Sequence, residues 1–347
     1  MGITPRSILE QWNFEPFHFR MKKDRSASME YEQTELITRY KENYKMVERF
    51  PITYDMIMYH WDLERRLRDE LLNSDASSRV EAYARCYSEL YKELPWLNDF
   101  TNIQPDVPDS VRFTTWVAAI GAPPKKIFEI GAGQGRMLRY LARLGHECTG
   151  SDVTVERAAA TACQESEALQ SVVDNAVSIE NVKDGAYDRV LSDQVIEHLH
   201  PGDIVRHVES VRRLLRPGGR YIVCCPHIYA GPADVSRVFG CDEAAGLHLK
   251  EYKWRELVEV ARNAGFDSVF CPTPGRLSAF LKTAGIWSER SEAFVGKLIL
   301  TLMRVLESLL ARIPNPRKRR QFSSVLLRLG LFRQSCFLIA QVSAKKD

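Results

Sequence analysis

Short apolar runs and longer amphipathic stretches alternate through the middle of the chain. Residues 127–130 are apolar apart from one acid, and Met137–Leu144 has the apolar spacing of a helix. A second strand-like run ends on Asp152, and two more end on Asp174 and Asp193. Strands that alternate with helices predict an α/β fold built on a parallel, doubly wound sheet.

The same alternation continues to about residue 272 and resumes at 335. It predicts strands at 220–225, 268–271 and 335–343, and helices at 203–215 and 251–264, the first of which stops at Leu215–Gly219. Two helical blocks lie outside this alternation, and the first of them has predicted helices at 29–49, 59–72 and 80–94.

We therefore predict four parts in the chain: an N-terminal helical cap (1–109), a core (110–272), a helical insertion before the last strand (273–334), and the last core strand with a tail (335–347).

Three glycines follow the first predicted strand: Gly131, Gly133 and Gly135. Glycine turns tightly with positive φ and lets a ligand approach the backbone, so this turn indicates a cofactor site. Asp152, which ends the second strand, has the length and charge to accept both hydroxyl hydrogens of a ribose. Glu129 separates the pattern from the dinucleotide form, because its carboxylate repels a pyrophosphate and holds a cationic amino-acid ligand.

The segment Glu129–Gly135 resembles the first motif of class I S-adenosylmethionine (SAM)-dependent methyltransferases. The resemblance covers about residues 110–272 and 335–343. It implies a Rossmann-like, seven-stranded sheet with SAM as the cofactor, and it places Asp174 to receive the adenine amine. In related methyltransferases, an N-terminal helical cap covers the cofactor and contributes to the substrate pocket.

Candidate catalytic groups follow the fourth predicted strand. Methyl transfer from a sulfonium needs placement and, for a hydroxyl acceptor, a base that takes the proton. His198 and His248 are the best candidates, since histidine titrates near working pH, and Glu197 stands beside them in sequence. His200 and His227 are weaker alternatives.

The pattern Gln194-x-x-Glu197-His198 resembles the Glu-x-x-Glu-His of metal-dependent O-methyltransferases. The resemblance implies that Glu197, His198 and His248 hold Mg²⁺ or Mn²⁺, and such an ion lowers the pKa of a sugar hydroxyl. Gln194 stands where an acid is expected and removes a charge. A histidine base without metal is the favoured interpretation, and metal is the alternative.

The segments 227–239 and 245–252 resemble the region after strand five in bacterial enzymes that O-methylate sugars of surface polysaccharides or lipopolysaccharides. This implies a saccharide hydroxyl as the acceptor, on a surface glycan or a glycosylated metabolite, bound by His227, Tyr229, Asp234 and Arg237. A self-bonded lid is the alternative for this loop. The rival functions are ring-hydroxyl O-methylation in quinone or natural-product biosynthesis, and a non-catalytic SAM-binding partner in glycan assembly.

Composition bears on partners and compartment. The chain has 347 residues and a net charge of +3, too small to indicate a nucleic-acid partner. Its eight cysteines include no CxxC pair, which favours reduced thiols and a cytoplasmic protein.

The insertion carries a basic cluster, Arg317–Arg320, between predicted apolar helices at 294–313 and 325–332. Peripheral contact of 294–333 with an anionic membrane, at its inner face, is one hypothesis. A homodimer contact or a hairpin buried on its own domain is the other.

Overall fold

The computed structural model describes residues 26–98, 107–162, 169–286 and 288–344. Within these ranges the strands form one seven-stranded sheet in the order β3-β2-β1-β4-β5-β7-β6. Strands β1 to β5 pair in parallel, and β7 runs antiparallel to both β5 and β6. The predicted Rossmann-like, doubly wound sheet is therefore confirmed. The strands are β1 Lys126–Ile130, β2 Glu147–Asp152, β3 Leu169–Val173, β4 Tyr187–Asp193, β5 Leu215–Pro226, β6 Ser268–Phe270 and β7 Ser335–Gln341.

Helices precede the sheet, connect its strands and fill the insertion between β6 and β7. The described helices before the sheet are α1 Ser26–Tyr44, α2 Tyr54–Leu72, α3 Arg79–Glu93, α4 Pro95–Asn98, α5 Asp109–Arg112 and α6 Thr114–Ile120. Those between the strands are α7 Arg136–Arg143, α8 Val155–Ala162, α9 Ile204–Leu214 and α10 Trp254–Asn263. Those of the insertion are α11 Gly275–Thr283, α12 Glu289–Ala311 and α13 Pro316–Arg328. None of the helices in the described ranges is long and apolar enough to cross a membrane.

Alternation along the strands divides the apolar core between the two faces of the sheet. Ile127 and Leu191 pack with Trp116 of α6 and Leu141 of α7. Their chain neighbours point to the opposite face, since successive strand side chains alternate. That second layer contains Phe128, Val190 and Tyr221 together with the cap and α9, α10 and α12.

Two segments differ from the sequence-based prediction. The basic cluster Arg317–Arg320 lies inside α13 rather than between helices, because Asn315 caps this helix by accepting a hydrogen bond from the Lys318 N–H at 3.0 Å, and Pro316 occupies its first position. Helix α9 ends at Leu214, so the predicted helix stop at Leu215–Gly219 is confirmed, but β5 begins at Leu215 rather than at residue 220, and its register with β4 shifts there. Helix α11 was not predicted.

Buried polar contacts attach the cap to the core. Arg79 of α3 pairs with Asp203, the residue before α9, at 2.7 Å, and Tyr83 donates to the same carboxylate at 3.2 Å. Glu64 of α2 accepts the backbone N–H of Leu247 at 2.9 Å. The cap is thereby held over the loops that follow β4 and β5.

Buried contacts also attach the insertion to the core. Gly296 of α12 lies so close to β6 that an added Cβ would be 2.3 Å from the carbonyl oxygen of Cys271. Arg220 of β5 pairs with Glu292 at 2.9 Å, and His227 contacts Glu307 at 3.0 Å. Helix α12 is therefore part of the packed molecule along one face.

Candidate active site

A cavity of about 150 Å³ opens where β1 turns into α7, at the carboxyl edge of the parallel strands. It is lined by residues that include Tyr87, Gly131, Asp152, Asp174, Gln194 and His198. Gly131 and Gly133 have φ of 65° and 57°, which favours glycine. A Cβ on Gly131 would lie 2.6 Å from Cγ2 of Val195, so any residue larger than glycine at position 131 would clash with this side chain. Gly135, also left-handed, is the N-cap residue of α7.

Asp152 fixes the glycine turn as well as facing the cavity. One carboxylate oxygen accepts the N–H of Gly133 at 3.2 Å, and the other accepts the N–H of Thr154 at 3.2 Å. Burial raises the pKa of Asp152, while these hydrogen bonds to its charged form act in the opposite direction.

Asp174 and Glu129 each have a buried carboxylate oxygen that lacks a hydrogen-bond partner in the described chain. Asp174 uses its other oxygen to accept the Asn181 N–H at 3.0 Å, and burial raises its pKa. Burial, followed by the charge of Asp193, raises the pKa of Glu129 well above its usual range. Unpartnered acceptors at the cavity and at the end of β1 fit the amine donors of SAM, so the residues present fit this cofactor.

The second half of the site follows β4. Glu197, His198 and His248 bring one ligand atom each to within 4.8 Å of one another. His198 donates from Nδ1 to the carbonyl oxygen of Leu247 at 3.1 Å, which leaves its Nε2 with a lone pair. His248 contacts Glu251 through Nδ1 at 3.0 Å. The sequence therefore placed these three side chains in one cluster correctly.

Electrostatics differ sharply among the three. Both oxygens of Glu197 are buried without a hydrogen-bond partner in the described chain, and burial raises its pKa to about 8. Burial and the neighbouring His248 lower the pKa of His198 to about 3, so its ring is neutral. Burial also opposes charge on His248, but the hydrogen bond to Glu251 and the surrounding carboxyl groups outweigh it, so the pKa of His248 is raised. His248 is thus the stronger base of the pair.

Gln194 does not join this cluster. Its backbone is left-handed, with φ of 56°, and its side-chain amide lies 3.4 Å from the carbonyl oxygen of Cys224. The residue lines the cofactor cavity at the end of β4. The position where the resemblance led us to expect an acid therefore supplies no fourth ligand atom here.

The predicted substrate-binding residues lie elsewhere. His227 is fully buried, accepts the Tyr229 N–H through Nδ1 at 3.0 Å and contacts Glu307 through Nε2. Asp234 is buried and accepts the N–H groups of Ser236 and Gly246 at 3.0 and 2.9 Å. Both side chains are thus used inside the fold, which corrects the prediction that they bind an acceptor.

The other two predicted substrate-binding residues, Tyr229 and Arg237, line cavities other than the one at the glycine turn. The ring of Tyr229 is largely buried and packs under the guanidinium of Arg319, whose Cζ lies 4.8 Å from the ring centroid. Arg237 is exposed and lines a second cavity of about 570 Å³, beside α13. The alternative of a self-bonded lid describes this loop better than a sugar-binding loop does.

Sequence reasoning missed three contributors to the site. Glu251 holds His248, and the Leu247 carbonyl holds His198, although both segments lie about fifty residues after β4 in the chain. Tyr87 of the cap lines the cavity with a buried hydroxyl that lacks a partner among the described residues. For Tyr87 the sequence offered the aromatic spacing of α3, which equally fits plain packing, and the resemblance that implies a cap over the cofactor.

Comparisons with known proteins give one match to a sequence family and several likenesses to solved structures. Residues 128–223 match the sequence family described as a methyltransferase domain. No curated protein matches the chain. The chain resembles several solved structures of methyltransferases. One is a phosphoethanolamine N-methyltransferase 2 from Haemonchus contortus, with 13% identity over 78% of this chain and 61% of that chain and a TM-score of 0.46.

Two further solved structures resemble the chain. One is the 1,6-didemethyltoxoflavin-N1-methyltransferase of Burkholderia thailandensis, with 21% identity over 56% of this chain and 82% of that chain and a TM-score of 0.42. The other is a SAM-dependent methyltransferase from Mesorhizobium loti, with 16% identity over 52% and 93% of the two chains and a TM-score of 0.37.

The match over residues 128–223 identifies a methyltransferase domain within this chain, and the sheet and the glycine turn give that domain a Rossmann-like fold. The acceptor of this chain is a matter for proposal.

Proposed function

We propose that this protein transfers a methyl group from SAM to a hydroxyl oxygen, with Glu197, His198 and His248 as the catalytic cluster. The observation that carries the proposal is the gathering of their ligand atoms within 4.8 Å, with both Glu197 oxygens unpartnered in the described chain. His198 also lines the cavity that contains the glycine turn. Proton-accepting groups next to the cofactor are what a hydroxyl acceptor needs.

Each residue has a separate task in this proposal. SAM, when bound, supplies an activated methyl group on its sulfonium. His198 presents the lone pair of Nε2 to the cavity, because its Nδ1–H is fixed by Leu247. His248, oriented by Glu251, accepts and holds the hydroxyl proton more strongly, since its pKa is raised. Tyr87, with its buried hydroxyl, forms part of the wall against which the acceptor packs.

A metal-assisted version is supported by the same residues. One carboxylate and two imidazole nitrogens form a donor set that suits Mn²⁺ and, less well, Mg²⁺. Such an ion lowers the pKa of a bound hydroxyl. The buried, unpartnered carboxylate of Glu197 favours a cation between the three side chains, whereas the missing fourth ligand at Gln194 weakens the set.

For the acceptor we propose a saccharide hydroxyl, with a quinol or phenol hydroxyl as the alternative. The saccharide rests on the resemblance of the loop at 227–252 and not on residue assignments, because His227 and Asp234 are used inside the fold. The cavity wall carries Tyr83, Tyr87 and Tyr91, and aromatic faces accept either a pyranose ring or an aromatic ring.

The test is a methyl-transfer assay that detects S-adenosylhomocysteine, with glycan, quinol and amine acceptors. Replacement of His198 or His248 by Gln is expected to lower the rate by roughly 10²–10⁴-fold while SAM affinity stays near that of the wild type. His146→Gln is the matched control, since His146 is buried before β2 at the opposite edge of the sheet. Full activity in both site variants, or transfer to amines alone, would contradict the proposal.

Chelation separates the two versions. Activity that is lost with EDTA and restored by Mn²⁺ or Mg²⁺ supports the metal-assisted version, and Glu197→Gln should then raise the Mn²⁺ concentration needed. Activity that is indifferent to chelation supports the histidine base alone. A SAM-binding partner protein without transfer would bind SAM with normal affinity and show no turnover on any acceptor of the panel.

A further inference from the structure

Helix α12 presents two opposite apolar faces. The inner one includes Leu300, Met303 and Leu310, which are buried against the core. The outer one is a row at spacings of four, four, three and four residues, and its side chains are between 47% and 63% exposed: Phe294, Leu298, Leu302, Val305 and Leu309. A row of large apolar side chains on the outside of a packed helix marks an interaction surface.

The neighbouring helix α13 extends the same character. It contacts α12, and Phe322, Val325 and Leu329 form its own row of exposed apolar side chains. We call these two rows together the apolar face of the insertion. Single exposed apolar residues are ordinary on protein surfaces, but eight on two adjoining helices are not.

The segment that holds the apolar face carries almost only positive charge. Residues 293–334 contain nine basic residues and one acidic residue, Glu307, a net charge of +8. Glu307 is buried, where it contacts His227 and accepts the Trp254 N–H at 2.7 Å. The remainder of the chain has 39 basic and 44 acidic residues, a net charge of −5. The surface around the apolar face is therefore basic within a chain that is otherwise acidic.

A basic cavity lies next to the apolar face. Arg237, Arg320 and Arg328 line the cavity of about 570 Å³ beside α13, and Val325 of the apolar face lines it too. Arg237 and Arg328 are exposed, whereas Arg320 lies 3.6 Å from Asp242. Guanidinium groups around one opening suit a phosphate oxygen, since they donate several hydrogen bonds in a fixed geometry.

We infer that α12 and α13 dock the protein on a membrane surface that contains anionic phospholipid, with the apolar face at the acyl boundary and the basic cavity on a lipid phosphate. A second copy of this chain fits less well. A twofold contact would place the same basic surface on both sides, and like charges repel. An anionic bilayer complements both the charge and the apolar rows. This inference is independent of the proposed acceptor.

The experiment is flotation of the full chain with phosphatidylcholine vesicles and with vesicles that also contain phosphatidylglycerol. Binding is expected with phosphatidylglycerol at low salt, and it should weaken as salt rises, because ions screen the attraction. The double variant Arg312→Gln, Lys318→Gln removes two exposed charges from the segment that holds α12 and α13. It should bind the vesicles about thirtyfold more weakly, which corresponds to a loss of about 2 kcal/mol of binding free energy. Arg206→Gln with Arg262→Gln removes two exposed charges elsewhere and should bind normally.

A second pair of variants tests the apolar face. Leu298→Gln with Leu302→Gln should lose vesicle binding, whereas Val205→Gln with Val111→Gln, at exposed apolar positions on α9 and α5, should keep it. Circular dichroism and SAM affinity check that each variant is folded. Failure of the wild type to float with phosphatidylglycerol at low salt overturns the inference. Light scattering that shows a dimer, made monomeric by the leucine variant while flotation is unchanged, assigns the face to a second copy and overturns it too.

Discussion

Three buried carboxylates lie on the predicted cofactor side of the site, and they fall into two kinds. Asp152 fixes the glycine turn, while Glu129 and Asp174 keep unpartnered oxygens at the cavity and at the end of β1. A buried acceptor without a partner is costly in the free protein, and a ligand amine that donates to it relieves this cost. We therefore expect Glu129 and Asp174 to contribute to the free energy of SAM binding.

Asp152→Ala is expected to weaken SAM binding by about 1–3 kcal/mol, because it removes a charged acceptor and releases the Gly133 N–H. Isothermal titration calorimetry measures the change. Asp188→Ala is the control, since Asp188 is another buried acid, at the opposite end of the parallel strands. Wild-type affinity in the Asp152 variant would falsify its assignment to the cofactor site.

His207 makes the fold sensitive to acid. Its ring is fully buried, donates from Nδ1 to the Ala176 carbonyl and lies 2.8 Å from the Tyr221 hydroxyl through Nε2. Burial lowers its pKa to about 4. An unfolded histidine titrates near 6.5, so the unfolded state binds more protons between these values. This contribution is complete above about pH 6.5 and is lost as pH falls toward 4.

The free energy of unfolding, measured by urea denaturation across this range, should therefore fall by up to about 3 kcal/mol from this group. His207→Gln should be less stable near neutral pH but should show a flatter dependence on pH. An equal slope in the variant and the wild type would place the acid sensitivity elsewhere.

At the residue level, the sequence predicted where Glu129, Asp152 and Asp174 lie, because each stands near the end of a predicted strand and the ends of parallel strands meet at one edge of the sheet. Their contact with SAM stays a prediction. His227 was misassigned because its partner, Glu307, lies eighty residues later on α12. No local pattern shows that a helix of the insertion will pack against the end of β5.

Hydrogen bonds between elements connect the cap to His198. Trp96 donates to the Tyr40 hydroxyl at 3.0 Å, which lies 2.8 Å from His60 Nδ1, and His60 Nε2 lies 2.8 Å from Glu64. Glu64 accepts the Leu247 N–H, and the carbonyl of the same residue accepts the hydrogen bond of His198. The cap therefore helps to orient His198 through Glu64 and Leu247, neither of which lines the cavity.

Glu64→Gln is expected to lower the maximal methyl-transfer rate while leaving SAM affinity unchanged. It breaks a hydrogen bond to a charged group, which costs about 1.5–3 kcal/mol of stability as well. Steady-state kinetics and calorimetry separate the two effects. Glu93→Gln is the matched control, because Glu93 accepts the Tyr59 hydroxyl within the cap and does not contact Leu247. Equal losses in both variants would indicate that the cap acts only through general stability.

Periodicity predicted the end of α2 at Leu72 but put its start at residue 59. The helix begins at Tyr54, where the N-cap Thr53 accepts the Met56 N–H at 3.2 Å. The basic run at 317–320 was assigned to a connection because charge dominates its composition. The N-cap residue Asn315 and the proline that follows it begin a helix at this point, and the basic run lies inside that helix. Helix α11 gave no such signal.

In the whole molecule, the insertion and the sheet form one packed body. Arg220 is 2% exposed and pairs with Glu292 of α12, and His227 contacts Glu307 of the same helix. Beyond the insertion, β7 lies between β5 and β6. We expect the insertion to unfold together with the core.

Glu292→Gln should lower the free energy of unfolding by about 3 kcal/mol, since it leaves the buried charge of Arg220 with only the exposed carboxylate of Glu289, 3.8 Å away, as an ionic partner. Unfolding should remain a single transition by circular dichroism and fluorescence. Glu259→Gln, at an exposed position on α10, should change little. An additional early transition in the Glu292 variant would show that the insertion is a separate folding unit.

The place of β7 also has a consequence for synthesis on the ribosome. This strand fills the gap between β5 and β6, yet it emerges after the insertion that follows β6. Until it does, the nascent chain has two open strand edges, which can pair with other chains. A pause or a truncation before residue 335 would leave this gap open, so we expect such products to depend on chaperones that shield unpaired strands.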